Sequence, residues 1–130
     1  MSEASCKILL VDDSPEMRDV LRAMLQIEGH EVTTATNGAE ALALLRSGVA
    51  PEVIILDLTM PVMSGWEFRL EQLGDPALRE IPAIIYSAIS SMRPESLKPL
   101  RAVAVVEKGS GLYSVLGAVD EICRNRDTCR

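Results

Sequence analysis

The chain is predicted to form a single α/β domain: a doubly wound sheet of five parallel strands in the order 2-1-3-4-5, with helices on both faces. Three observations lead there. Four short runs rich in β-branched residues are continuously apolar rather than alternating, as strands buried on both faces are. Stretches of helical period separate them, so successive strands are joined by crossovers that return parallel. The 130 residues, 48% of them hydrophobic, suffice for one core and not for two. The domain is expected over 1–130, with its core at about 6–124 and a solvated, flexible tail at 125–130.

The first strand is read in KILLVDD (7–13). Ser14 then caps a helix, Pro15 takes its first position, and Met17, Val20, Leu21, Met24 and Leu25 form an apolar stripe that Gly29 ends. HEVTTAT (30–36) is more polar and suits an edge strand, with His30 opening it. Asn37 with Glu40 caps the second helix, Ala41, Leu42 and Leu45 face inward, and Gly48 follows its end. VIILDL (53–58) is the third strand, and Ser64 with Glu67 has capping-box spacing for the third helix. AIIYSA (83–88) and AVAVVEK (102–108) are the fourth and fifth strands. Between them Pro99 deletes a helical hydrogen bond, so any helix there is short or broken near Lys98. Leu112, Val115, Leu116, Val119 and Ile122 stripe the last helix.

Composition excludes several roles. A formal charge of −6 argues against a nucleic-acid surface, which needs clustered cations. No apolar run approaches the roughly 18 residues of a membrane span, and the acidic start does not read as a secretory signal, so a cytoplasmic protein is expected. Cys6, Cys123 and Cys129 are odd in number and lack CxxC spacing, so reduced thiols are expected rather than a disulfide or zinc site. KGSG (108–111) lacks the order of a nucleotide-binding loop, and Met17, Met24, Met60, Met63 and Trp66 read as packing residues.

Parallel sheets bind ligands beyond the carboxyl ends of their strands, where the strand order reverses. Asp12 and Asp13 end the first strand, Asp57 the third, Ser87 the fourth and Lys108 the fifth, so all five polar groups are expected on one edge. Two ionised carboxylates about 5 Å apart at an effective dielectric of about 20 cost roughly 3 kcal/mol, which a cation offsets. An all-oxygen ligand set selects a hard ion, Mg²⁺ before Ca²⁺. Lys108 supplies a fixed positive charge and Ser87 a hydroxyl donor, which suit a transferred phosphoryl group and make Asp57 a candidate nucleophile.

With LLVDDS, VIILDLTMPVMSG, IIYSA and VVEKGS in that order, the chain resembles the receiver domains of two-component response regulators, a CheY-like family with a flavodoxin-like sheet, over residues about 6–124. The resemblance implies a stand-alone receiver that takes a phosphoryl group on Asp57, the phosphoacceptor, from a histidine kinase, a phosphotransfer protein or a small donor. It implies Mg²⁺ held by Asp13, Asp57 and the backbone carbonyl of Thr59, with Asp12 acting through water. Ser87 takes the place of the switch hydroxyl, Ala88 supplies a backbone N–H, and Lys108 pairs with the phosphoryl oxygens. Such a domain catalyses only its own phosphorylation and dephosphorylation. It signals by binding a downstream protein, as a monomer or weak homodimer, and binds neither nucleic acid nor membrane.

Departures from the family pattern fall at Val105, where receivers carry an aromatic switch residue, and at Gly109, where a proline is usual. They keep open a phosphorylation-independent receiver or a phosphate sink. A Mg²⁺-dependent aspartyl phosphohydrolase similar to the haloacid dehalogenase family is a further alternative, although Thr59 stands where that family has a second acid. Ile89, beside the route of attacking water in the family, predicts a long-lived phosphoprotein.

Overall fold

A computed structural model describes residues 5–88, 94–108 and 112–128. Ile89 and Gly109 lie outside the described residues. The elements run β1 (Lys7–Val11), α1 (Pro15–Ile27), β2 (Glu31–Ala35), α2 (Gly38–Arg46), β3 (Val53–Leu56), α3 (Gly65–Leu73), β4 (Ala83–Ser87), α4 (Pro94–Leu97), β5 (Ala104–Glu107) and α5 (Tyr113–Thr128), with a 3₁₀ turn at Lys98–Leu100. All strand pairings are parallel and the order is β2-β1-β3-β4-β5, as predicted.

The pleat sorts the strand residues into two cores. Leu9, Val11, Ile54, Leu56 and Ile85 pack with Ala41, Leu42 and Leu45 of α2 and Phe68 of α3. Ile8, Leu10, Val53, Ile55, Ile84 and Tyr86 pack with Leu21 and Leu25 of α1 and Val115 and Val119 of α5. Burial on both faces is why Ile8–Val11 of β1, all of β3 and Ala83–Tyr86 of β4 are apolar without interruption.

The helix signals hold, with two shifts. The Ser14 side chain accepts from Met17 N–H, and Ser64 and Glu67 form the reciprocal capping box. Asn37 accepts from Glu40 N–H at 2.8 Å, but the Glu40 carboxylate reaches back to Thr36 N–H, one residue before the cap. Val20 lies off the buried stripe of α1, 47% exposed. Gly29 and Gly48, at φ +96° and +111°, follow α1 and α2 in the left-handed region where other residues are strained.

Three expectations need correction. The last helix continues to Thr128, through residues read as tail, and Arg124 pairs with Asp120 one turn back at 2.8 Å. β5 is not buried on both faces: it is an edge strand, α4 is a single turn, and Val105 stays half exposed. The cysteines are not all free, because Cys6 and Cys123 form a disulfide with a Cα–Cα distance of 5.9 Å. Their separation of 117 residues hid the pairing, which exists only once β1 and α5 share a core.

The interrupted fourth crossover is secured by an element absent from the sequence reading. Arg69 of α3 is 2% exposed, and its guanidinium donates to the carbonyls of Leu100 (2.7 Å), Ile81 (3.1 Å) and Arg101 (3.1 Å) and to Gln72 Oε1 (2.7 Å). Gln72, itself buried, donates to the carbonyls of Leu78 and Ile81. These bonds hold a chain that Pro99 bars from a regular helix and that turns at Arg101 with φ +49°.

Candidate functional site

Register brings the acidic residues together. The β1–β3 ladder ends at Val11 opposite Leu56, and Asp57 N–H donates to Val11 O, so Asp12 and Asp57 leave adjacent strands at one level. This is the point where the strand order reverses. The carboxylates of Asp12, Asp13 and Asp57 offer oxygens within 4.8 Å of one another; Asp12 and Asp57 are buried, while Asp13 faces solvent.

Asp57 is held from three sides. Ser87, at the end of β4, donates its hydroxyl to Oδ1 at 3.1 Å; Thr59 N–H also donates to Oδ1, at 3.3 Å; and Lys108, beyond β5, donates to Oδ2 at 3.2 Å. Lys108 also stands 3.7 Å from Asp12 Oδ2 and 5.8 Å from the centre of the Tyr86 ring. Ala88 follows Ser87 at the exposed margin. The five predicted polar groups therefore converge.

The loop after β3 shapes the floor. Gly65 N–H donates to Leu58 O at 3.0 Å, and a Cβ at Gly65 would lie 2.8 Å from the Leu58 Cα and closer still to the Asp57 carbonyl. Only glycine allows α3 to start this close to the Asp57 backbone. Trp66 follows directly and packs, partly buried, against the α2–α3 core.

The electrostatics show that the Asp12 charge is compensated only in part. Burial pushes the Asp12 carboxyl above its ordinary range; the Ser14 N–H and Lys108 pull it back only in part, and Asp57 and Asp13 add to the rise. Among the described residues Asp12 Oδ2 is a buried oxygen without a hydrogen-bond partner, its nearest compensation being the Lys108 ammonium at 3.7 Å. Burial lowers the Lys108 ammonium, but attraction to Asp57 and Asp12 outweighs it, and the net shift is upward. Folded Asp12 thus binds its proton more tightly than the unfolded chain, so stability falls as pH climbs from about 3.8 through the higher folded value. Lys108 acts elsewhere: its contribution is complete below 10.5 and is lost only as pH rises through its raised folded value.

Asp12→Asn removes the charge that burial disfavours and is accordingly expected to stabilise the metal-free protein at pH 7. It should also flatten the decline in stability as pH rises above about 3.8, measured by urea unfolding. A variant no more stable than wild type would show that the Asp12 charge is already compensated.

The donor set fits a hard divalent cation. It is all oxygen, three carboxylates sit closer than their mutual repulsion favours, and one buried oxygen accepts no hydrogen bond from the described residues. A second group, Cys6, His30 and Cys123, lies at the other end of β1 and is buried throughout. Among the described residues no helix is long and apolar enough to cross a membrane.

Comparison with known proteins agrees with this arrangement. A family model described as the response regulator receiver domain matches residues 8–119. Protein PilH of Pseudomonas aeruginosa is 39% identical over 79 residues, which cover 61% of this chain and 64% of PilH. A 14.6 kDa protein of Leptolyngbya boryana is 44% identical over 87 residues, covering 65% of this chain and 64% of that protein. The chain thus spans a little under two thirds of these curated relatives. Among solved structures, the response regulator TrrA of Thermotoga maritima, in complex with Mg²⁺-BeF, aligns with a TM-score of 0.78 and 34% identity over 94% of this chain and 99% of TrrA. Chemotaxis protein CheY4 of Vibrio cholerae aligns with a TM-score of 0.80 and 31% identity over 92% of this chain and 99% of CheY4. With the family match running from β1 into α5, this chain belongs to the response regulator receiver domains, the signalling domains of two-component systems.

Proposed function

We propose that the chain accepts a phosphoryl group on Asp57 from a phosphohistidine of a partner kinase or phosphotransfer protein, and signals by binding another protein. The observation that carries this reading is the setting of Asp57, buried yet hydrogen-bonded by both Ser87 and Lys108. Each donor is already aimed at a carboxylate oxygen, so neither needs to be recruited when charge builds there. Asp57 supplies the attacking oxygen, while Lys108 offsets negative charge on the incoming group and Ser87 donates to one of its oxygens. Asp13, Asp57 and the Thr59 carbonyl would hold Mg²⁺, with Asp12 acting through water, and the ion would neutralise phosphoryl charge. The TrrA complex with Mg²⁺-BeF supports that choice of ion. Action as a stand-alone receiver in the cytoplasm, monomeric or weakly dimeric, is part of the same proposal.

Beryllofluoride with Mg²⁺, a mimic of the bound phosphoryl group, tests the pocket without a donor. It should change Trp66 fluorescence saturably in the wild type and not in Asp57→Asn. Equal responses in both proteins would contradict the assignment of Asp57.

A second reading rests on Val105. Its half-exposed aliphatic side chain replaces the family's aromatic switch residue, which favours a phosphorylation-independent receiver or a phosphate sink. Partner affinity that rises at least tenfold with beryllofluoride supports the switch; unchanged affinity supports the second reading.

A further inference from the structure

We propose that Cys6 and Cys123 form a reversible thiol–disulfide pair, a redox-modification site at the end of the sheet remote from the acidic pocket. The bond joins the residue before β1 to the middle of α5, and the Cα–Cα distance of 5.9 Å matches the commonest separation in disulfides, so oxidation needs no rearrangement of the fold. Both sulfurs belong to the core shared by α1 and α5.

The cysteine at the base of β1 is also tied to the α1–β2 junction. Cys6 N–H donates to His30 Nδ1 at 3.0 Å, Glu31 N–H donates to Cys6 O at 3.0 Å, and the Ser5 hydroxyl donates to Gly29 O at 2.8 Å. The oxidised bond therefore fastens α5 to two segments at once, the start of β1 and the α1–β2 junction.

Two cysteines and a histidine within 4.8 Å also suggest a soft-metal site, but the hydrogen bonding disfavours it. The Nδ1 lone pair of His30 is used by Cys6 N–H, and in a neutral ring the other nitrogen then carries the hydrogen. Neither nitrogen is left to bind a metal, whereas the sulfurs are already in bonding register.

The oxidant is a low-molecular-weight disulfide, RSSR. One cysteine thiolate attacks a sulfur of RSSR and expels RS⁻; the second cysteine attacks the resulting mixed disulfide and expels another RS⁻. Two cysteine protons pass to the two leaving thiolates, so two cysteines are oxidised and one RSSR is reduced to two RSH. Because both sulfurs are buried, exchange proceeds through local opening of α5 and is slow in the folded protein.

The test uses the full chain with Cys129→Ser, so that two thiols remain, equilibrated across defined ratios of reduced and oxidised glutathione. Denaturing alkylation and intact mass then count free thiols. The expected result is one transition from two alkyl groups to none, with the oxidised protein melting roughly 10 °C above the reduced one. Adding Cys123→Ala should abolish both the transition and the redox dependence of melting, while reduced Cys129→Ser protein serves as the folded reference. Two alkylated thiols at every ratio, a retained glutathione, equal melting of both forms, or a reduced chain that keeps one equivalent of Zn²⁺ through gel filtration would each overturn the proposal.

Discussion

Arg69→Met is expected to destabilise the domain by about 3 kcal/mol and lower its melting temperature by roughly 10 °C. Methionine fills most of the apolar volume but donates nothing. The carbonyls of Leu100 and Arg101 and the side-chain oxygen of Gln72 lose their guanidinium partners, and each buried unpaired acceptor costs about 1–3 kcal/mol. Ile81 O is buffered, because Gln72 also donates to it. Burial lowers the Arg69 pKa from its ordinary value, and the groups it serves are carbonyls and an amide rather than a carboxylate. Lysine cannot replace it: one ammonium cannot span acceptors arranged around a planar fork, so Arg69→Lys should recover less than half of the loss. Chemical unfolding of the two variants measures this. A loss below about 1 kcal/mol for Arg69→Met would mean that the fourth crossover is held by apolar packing alone.

Asp13→Ala is expected to weaken Mg²⁺ binding by about 100-fold with little change in the stability of the metal-free protein. Loss of an outer partner at a metal site typically costs 10–100-fold, and removal of a direct ligand belongs at or beyond the upper end of that range. Asp13 is the exposed member of the triad, so its side chain contributes little to packing. It thus contrasts with Asp12, whose neutralisation should raise stability because burial already disfavours its charge. Trp66 fluorescence against Mg²⁺ concentration, with a urea melt on each variant, separates the two effects. Unchanged Mg²⁺ affinity in Asp13→Ala would remove that residue from the proposed ligand set.

The sheet and the acidic pocket were legible in the sequence because both rest on local pattern. Val53–Leu56 is apolar at every position since both faces of β3 are covered, and Asp57 follows because the strand stops where the chain reaches the open edge. Ser87 and Lys108 could be placed by the same argument, since parallel strands put their carboxyl ends on one side. The short α4 was legible from Pro99.

What escaped notice depends on distant partners. Arg69 sits in a helix where a cation normally marks the wet face, and only the carbonyls of a segment some 30 residues on make its burial tolerable. Cys6 and Cys123 carry no spacing signal because a strand and the last helix unite them. The polarity of His30 suggests only a strand opener, yet its ring is buried and accepts a hydrogen bond from the Cys6 backbone. Val105 belongs to an apolar run, but its exposure is set by what covers the edge of the sheet rather than by its own neighbours.

The proposal that Asp57 is a phosphoacceptor poised by Ser87 and Lys108 makes a direct chemical prediction. Intact-mass measurement after incubation with Mg²⁺ and acetyl phosphate tests it most directly. One base-labile phosphoryl group on the wild type, absent without Mg²⁺ and absent from Asp57→Asn, is the predicted result; a phosphoryl group that persists in Asp57→Asn would contradict the account.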